Sequence, residues 1–321
     1  ICGFTGYRQD QKTVIERMMK AIEHRGPDSE GSFCREKITL GFRRLSIIDL
    51  EDGQQPMESA DGNLHIVFNG EIYDYKELRE ELEAFGISFR THSDTEVLVN
   101  TIQQYGEKAL DKLRGMFGFA VWNEKEQTLM LARDFFGIKP VYYAEIDGHF
   151  VFASEIKSIL AFPGYERKVN QKALEQYLSF QYSPLEETFF KGIYKLMPGH
   201  MLLYKNGSYE IKTYFKPKLT PGQWNHKTNM AQLRSQLSEI LKDSVKHHML
   251  SDVEVGAFLS GGVDSGYLAS SSGADQAFTV GFDEGDRYSE VNKAAKVAEK
   301  AGLKHHVKII SKQEFWDALP D

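Results

Sequence analysis

Ile1-Cys2-Gly3-Phe4-Thr5-Gly6 opens the chain, and the role given to Cys2 decides which fold the rest must build. An α-amino group has an ordinary pKa of about 7.7–8.0, so a useful fraction is neutral near pH 7. A cysteine carrying that amine needs no distant histidine, because a thiolate beside an amine is an activated nucleophile. Alone, the six residues read more simply as a short apolar strand opening with a buried free cysteine. Ile1 sharpens the choice. While it is attached, the Cys2 nitrogen is an amide and cannot act as a base, so the nucleophile reading expects Cys2 to be the first residue of the working chain.

Working outward, 321 residues exceed what one core normally serves, and two domains are expected. An apolar fraction of 41% and a charged fraction of 26% belong to a soluble globular chain. The net charge of −7 argues against a nucleic-acid or anionic-membrane surface. Cys2 and Cys34 are the only cysteines, so no disulfide framework is indicated. Neither a long apolar span nor a basic-then-apolar leader is read, and the expected location is the cytoplasm.

Val14, Ile15, Met18, Met19 and Ile22 recur at helical spacing before Gly26-Pro27. Ile38, Leu40 and Phe42 alternate as a half-buried strand. Leu64–Phe68 is a strand expected to end in a turn at Asn69-Gly70. Asp74-Tyr-Lys-Glu77 reads as a capping box, opening a helix that turns Leu78 and Leu82 inward. A second helix is expected from Ser93 or Asp94 to Gly106. A run of strands follows (116–122, 128–132, 141–144 and 150–153), then a helix near 171–179 and a hairpin across Lys205-Asn-Gly. Helices in pairs between strand runs imply an α+β domain with helices covering stacked sheets, over residues 1–215. Pro217, Pro221 and Gly222 mark a linker over 216–228. In 229–321 the pattern becomes helix, strand, helix, strand, helix, strand, the signature of a parallel α/β sheet. Three strands are few for such a sheet, and this second domain reads as truncated.

Ser260-Gly-Gly-Val-Asp-Ser265 lies between an apolar strand and a helix start, where backbone N–H groups and the helix dipole bind anions. The glycines allow close approach to phosphate, the serines add hydroxyl donors, and Asp264 is a candidate Mg²⁺ ligand. The loop lacks the lysine and length of the Gly-x4-Gly-Lys-Ser motif. Four further motifs are ambiguous singly. His24-Arg25-Gly26-Pro27-Asp28 closes a helix or serves a site. Arg43-Arg44 is a solvated strand end or a bidentate carboxylate grip. Asn69-Gly70-Glu71 is a turn or an oxyanion hole. Ser93-Asp94 is a helix cap or an acceptor for a substrate ammonium. Together, Cys2, Arg44, Asn69-Gly70 and Asp94 supply a nucleophile, a carboxylate clamp, an oxyanion hole and an ammonium acceptor, which suits hydrolysis of the side-chain amide of a free amino acid such as glutamine.

These motifs, with Arg133-Asp-Phe-Phe-Gly-Ile-Lys-Pro140, resemble the glutamine-hydrolysing asparagine synthetases over nearly the whole chain. The resemblance implies a four-layer αββα N-terminal-nucleophile hydrolase domain of the class II amidotransferases, followed by an ATP-pyrophosphatase (PP-loop) domain. It implies that Cys2 forms a thioester with glutamine and releases ammonia, with Asn69 and the Gly70 N–H stabilising the oxyanion. Arg44 through Leu45, Ser46, Ile47 and Ile48, with Glu71 and Asp94, would hold the α-carboxylate and α-ammonium. Ammonia would then attack an aspartyl-AMP ester formed from aspartate and ATP. Phe258, Leu259, Ser260, Gly261, Gly262, Asp264, Ser265 and Val280 would bind ATP, with Mg²⁺ on Asp264. A homodimer is a further family expectation. The alternatives are a ligase with another acceptor, such as a β-lactam synthetase-like enzyme, and a non-catalytic glutamine-binding regulator. Amidotransferases for glucosamine phosphate or phosphoribosylamine are disfavoured by Ser260–Ser265.

Overall fold

The computed structural model describes residues 1–218, 229–283 and 289–319. The chain divides into two compact units, Ile1–Leu219 and Thr220–Asp321. Most of the expected linker, from 219 to 228, lies outside the described residues.

Unit one holds two six-stranded antiparallel sheets. The first contains β1 (Cys2–Thr5), β2 (Ser29–Cys34), β3 (Ile38–Arg44), β8 (Tyr142–Ile146), β9 (His149–Ala153) and β10 (Ile193–Lys195), in the order β10-β8-β9-β1-β3-β2. The second contains β4 (Met57–Glu58), β5 (Leu64–Ile72), β6 (Gly115–Asn123), β7 (Thr128–Arg133), β11 (His200–Lys205) and β12 (Ser208–Thr213), in the order β12-β11-β7-β6-β5-β4. Ile38, Leu40, Phe42 and Phe152 of the first sheet meet Val67, Ala120, Trp122, Leu131 and Leu202 of the second in a buried core between them. Helices α1 (Gln11–Lys20) and α4 (Ile156–Leu160) close the outer face of the first sheet through Val14, Ile15, Met18 and Ile159. Helices α2 (Tyr75–Ala84) and α3 (Asp94–Tyr105) flank the second sheet, with Leu78, Leu82, Val97 and Leu98 buried. The result is the αββα stack; α5 (Gln171–Phe180) follows later in the chain.

Several local expectations give way to this stack. Strand β3 is buried on both faces rather than one, because a sheet lies on one side and a helix on the other. The turn at Asn69-Gly70 does not form. Strand β5 runs on to Ile72, with Asn69 opposite Gly118 and Gly70 opposite Phe117. A Cβ on Gly70 would lie 2.0 Å from Met116 O, so the glycine serves close strand approach. The capping box at Asp74 is also absent: Asp74 Oδ1 instead accepts the Arg114 N–H at 3.0 Å.

Unit two has a parallel three-stranded sheet, β13 (Ala257–Phe258), β14 (Gln276–Phe282) and β15 (Lys304–Ile310). Its helices are α6 (Met230–His248), α7 (Val263–Ser271), α8 (Val291–Ala301) and α9 (Lys312–Ala318). Strand β13 is shorter than the apolar run Val253–Leu259 suggests, and α7 starts directly after Gly262. Leu259, Ala269, Ala277, Ala294 and Ala298 form the small core. Among the described residues no helix is long and apolar enough to cross a membrane.

Candidate active site

At one end of the sandwich, the tip of β3, the middle of β5 and the first turn of α3 enclose a cleft of about 150 Å³. That is the scale of a free amino acid rather than a nucleotide. Its walls include Arg44, Leu45, Ile47, Ile48, Asn69, Gly70, Glu71 and Asp94, residues spread over 51 positions of sequence from 44 to 94. Ser46 is not among them: it is half-buried, and its N–H donates to Asp28 Oδ2 at 2.8 Å.

Each wall residue is held for a reason. Arg44 is 4% exposed, and its guanidinium donates to Leu50 O and Ile48 O, each at 3.2 Å, and to Asp49 O. It thereby folds the loop after β3 around itself. Asp28 supports the same loop, its N–H donating to Arg44 O at 3.0 Å. Asp94 begins α3, where Ser93 Oγ caps the Thr95 N–H at 3.2 Å, and its Oδ2 accepts the Ile72 N–H at 3.0 Å. Burial pushes the Asp94 carboxyl up to about 7; the Ile72 N–H opposes that rise and the neighbouring Glu71 charge adds to it. Two buried carboxylates side by side favour a cation between them. Asn69 Nδ2 is buried and finds no partner among the described residues, leaving a donor free for a ligand oxygen.

Arg25, from the His24–Asp28 motif, also lines the cleft, as do Gln55, Thr95 and Lys139, to which the sequence had given no individual role. Burial pushes the Lys139 ammonium below its ordinary value. Arg25 donates to Glu155 Oε1 at 3.0 Å, and His24 Nε2 lies 2.9 Å from the same oxygen. The His24–Asp28 motif therefore holds Glu155, the residue after the Ser154 that bonds the chain start, and braces the loop after β3.

Cys2 is not a wall of this cleft. Ile1 and Cys2 face opposite sides of the first sheet, as strand alternation requires. Ile1 enters the core between the sheets, while Cys2 packs with Ile15, Met18 and Ile159 on the helix side. Cys2 Sγ lies 3.8 Å from Gly41 O. The Ile1 amine donates to Ser154 Oγ at 3.0 Å, and the Ser154 N–H returns a bond to Ile1 O at 2.9 Å. Burial brings that amine down to about 6 and pushes the Cys2 thiol up to about 11. Burial thus favours the neutral form of both groups in this arrangement.

In unit two, Ser260–Ser265 forms a tight loop at the N-terminus of α7. Ser260 Oγ and Ser265 Oγ are 3.0 Å apart, and the Ser260 N–H donates to Ser265 Oγ at 3.3 Å. Gly261 has φ +74°, and a Cβ there would lie 2.7 Å from Lys293 Cβ, so the residue must be glycine for the loop to sit on α8. Phe258, Ser260, Gly262, Asp264 and Val280 are exposed. Leu259 differs. Its side chain is in the core, its N–H donates to Phe278 O at 2.9 Å, and its carbonyl accepts from Thr279 Oγ1 at 2.6 Å. Among the described residues no group of three or more His, Cys, Asp or Glu is placed to hold a metal.

The glutamine amidotransferase domain family matches residues 1–215. The chain belongs to that family. The asparagine synthase family matches residues 236–321, so the domain order is that of the glutamine-hydrolysing asparagine synthetases. Asparagine synthetase [glutamine-hydrolyzing] 1 of Bacillus subtilis is 43% identical over 333 residues, covering 100% of this chain and 52% of that protein. A putative asparagine synthetase [glutamine-hydrolyzing] of Mycobacterium bovis is 36% identical, covering 97% and 50%. The chain thus spans about half the length of the curated relatives it matches. Among solved structures, the B. subtilis glutamine phosphoribosylpyrophosphate amidotransferase matches with a TM-score of 0.51 at 18% identity, covering 95% of this chain and 65% of that one. At that identity the likeness is one of fold, and it agrees with the αββα stack described above.

Proposed function

We propose that the chain is the glutamine-hydrolysing and ATP-binding part of an asparagine synthetase. The observation carrying this is the cleft: a guanidinium, two buried carboxylates and an unpartnered amide donor converge in a volume fit for one amino acid. Glu71 and Asp94 take the α-ammonium of glutamine, and Arg44 with its loop takes the α-carboxylate. The side-chain amide then reaches toward Asn69 and Gly70, whose N–H groups stabilise the tetrahedral oxyanion.

The Cys2 thiol passes its proton to the amine at the chain start and attacks the amide carbon; collapse of the tetrahedral intermediate returns that proton to the leaving nitrogen, expelling ammonia and leaving a γ-glutamyl thioester that water hydrolyses to glutamate. This requires the amine to be that of Cys2 and the sulfur to leave the helix-side core for the cleft. In unit two, the aspartate β-carboxylate attacks the α-phosphorus of ATP, giving aspartyl-AMP and pyrophosphate. Ammonia then displaces AMP to give asparagine. The loop Ser260–Ser265 holds the phosphates by its N–H groups and hydroxyls. Asp264, an exposed carboxylate in the first turn of α7, would be the residue to hold Mg²⁺. The metal supplies charge neutralisation on the phosphates when bound. A cytoplasmic homodimer completes the proposal.

The test is asparagine, AMP and pyrophosphate formation by the full-length protein in the presence of glutamine, aspartate and ATP. Glutamine hydrolysis without asparagine would remove the acceptor assignment and leave the glutaminase reading standing.

A further inference from the structure

Gln55 belongs to none of the motifs that drew attention in the sequence, yet it is 8% exposed, lines the cleft and touches both of its principal walls. Strand β4 pairs Met57 with Ile66 and Glu58 with His65, so the same register would set residue 55 opposite Phe68. The Gln55 side chain supplies that pairing itself. Its Oε1 accepts the Phe68 N–H at 2.6 Å, and its Nε2 donates to Phe68 O at 3.2 Å. The remaining Nε2 hydrogen is directed at Thr95 Oγ1, also 3.2 Å away. Its backbone is wedged too, since a Cβ on Gly31 would stand 2.0 Å from Gln55 O. One buried amide therefore ties β5, immediately before Asn69-Gly70, to α3, immediately after Asp94.

We propose that Gln55 and Thr95 are positioning residues that fix the separation between the oxyanion donors and the ammonium-binding carboxylate, and so govern turnover of glutamine rather than its affinity. This rests on the functional reading above. A substrate clamped at its ammonium presents its amide at a fixed distance, so oxyanion donors free to drift relative to Asp94 stabilise the transition state less while ground-state binding is retained.

The test is Thr95→Val and Thr95→Ser in the full-length protein, measuring glutamine hydrolysis per folded molecule together with thermal unfolding. Valine keeps the shape, removes the acceptor for Gln55, and leaves the Thr95 N–H capped by Ser93. Complete loss of an oxyanion donor costs roughly 10²–10³ in kcat, and partial misplacement should cost about tenfold. Expected is that fall in kcat for Thr95→Val with KM for glutamine within about twofold, and recovery in Thr95→Ser. Gln55→Glu keeps the acceptor for Phe68 N–H but loses both donations; it should lower kcat without raising KM, and it decides the matter if the valine variant does not fold. A lowered melting temperature with unchanged kcat, a change confined to KM, or a serine variant as slow as the valine one overturns the positioning role. Wild-type protein that fails to hydrolyse glutamine overturns the functional reading and this proposal together, whereas an active wild type matched by Thr95→Val overturns only the latter.

Discussion

Replacing Asp94 by asparagine should stabilise the ligand-free protein while weakening its hold on glutamine. The side-chain oxygen can still accept the Ile72 N–H, so the change is one of charge more than shape. Burial holds the Asp94 carboxyl near 7, against 3.8 when unperturbed. That difference, carried into the folding equilibrium, corresponds to about 4 kcal/mol of destabilisation once the group is ionised. The sign follows from the raised value. The folded state holds the extra proton between about pH 4 and 7, so stability falls as pH rises through that window and is lowest above it. A buried amide left without partners for its N–H groups costs about 1–3 kcal/mol in return. The net gain for Asp94→Asn above pH 7 is therefore about 1–3 kcal/mol, or a few degrees in melting temperature, and linkage makes the comparison about 2–3 kcal/mol less favourable to the variant at pH 5 than at pH 8. Glutamine loses one charge-assisted contact, about 1.5–3 kcal/mol, so its KM should rise roughly 10- to 150-fold at pH 8. In wild type, KM should fall as pH rises toward 7 because the ammonium needs ionised Asp94; in the variant that slope should vanish. Thermal unfolding without ligand and initial glutaminase rates, both at pH 5 and pH 8, measure every quantity. A variant equally less stable at both pH values, or binding glutamine as tightly as wild type at pH 8, would refute the reasoning.

Other substitutions separate the two halves. Cys2→Ala should abolish glutamine-dependent synthesis in the full-length protein while leaving synthesis from free ammonia within about twofold, read as asparagine formed. Asp264→Ala should do the reverse, lowering pyrophosphate release by at least about tenfold and sparing glutamine hydrolysis. Gly70→Ala must push β5 away from β6, given the 2.0 Å approach to Met116 O; loss of more than about 2 kcal/mol in denaturant unfolding is expected, with glutaminase activity falling alongside.

The sequence made the large divisions readable. The 3.6-residue period of Val14 to Ile22, the strand runs and the change of pattern beyond 228 all depend on local spacing, and local spacing survives folding. The errors arose where distant partners decide. Asn69-Gly70 has turn chemistry, but β6 arrives from 115–123 to pair it, and the ladder outweighs the local preference. Asp74 and Glu77 have capping spacing, yet the Arg114 N–H claims the aspartate. Phe42 alternates as though one face were wet, since a lone strand cannot reveal that a second sheet covers it. In the site, Arg44, Asn69, Gly70, Glu71 and Asp94 were legible from their motifs, whereas Gln55, outside every motif, and Lys139, inside one but given no role, acquire meaning only when topology brings 55, 68, 95 and 139 to one cleft. The face occupied by Cys2 was within reach of strand parity, because Ile1 and Cys2 must point to opposite sides of one strand.

That parity makes Cys2 the sharpest point of the account: its sulfur rests 3.8 Å from Gly41 O among the helix-side residues, while the clamp and oxyanion donors stand around a separate cleft. The most direct measurement is acid quenching of the protein during glutamine turnover, followed by peptide mass spectrometry of its N-terminal segment. The account predicts a γ-glutamyl thioester on Cys2, in a peptide whose first residue is Cys2. Steady glutamine hydrolysis with the adduct on another residue, or from a chain that still begins with Ile1, would contradict it.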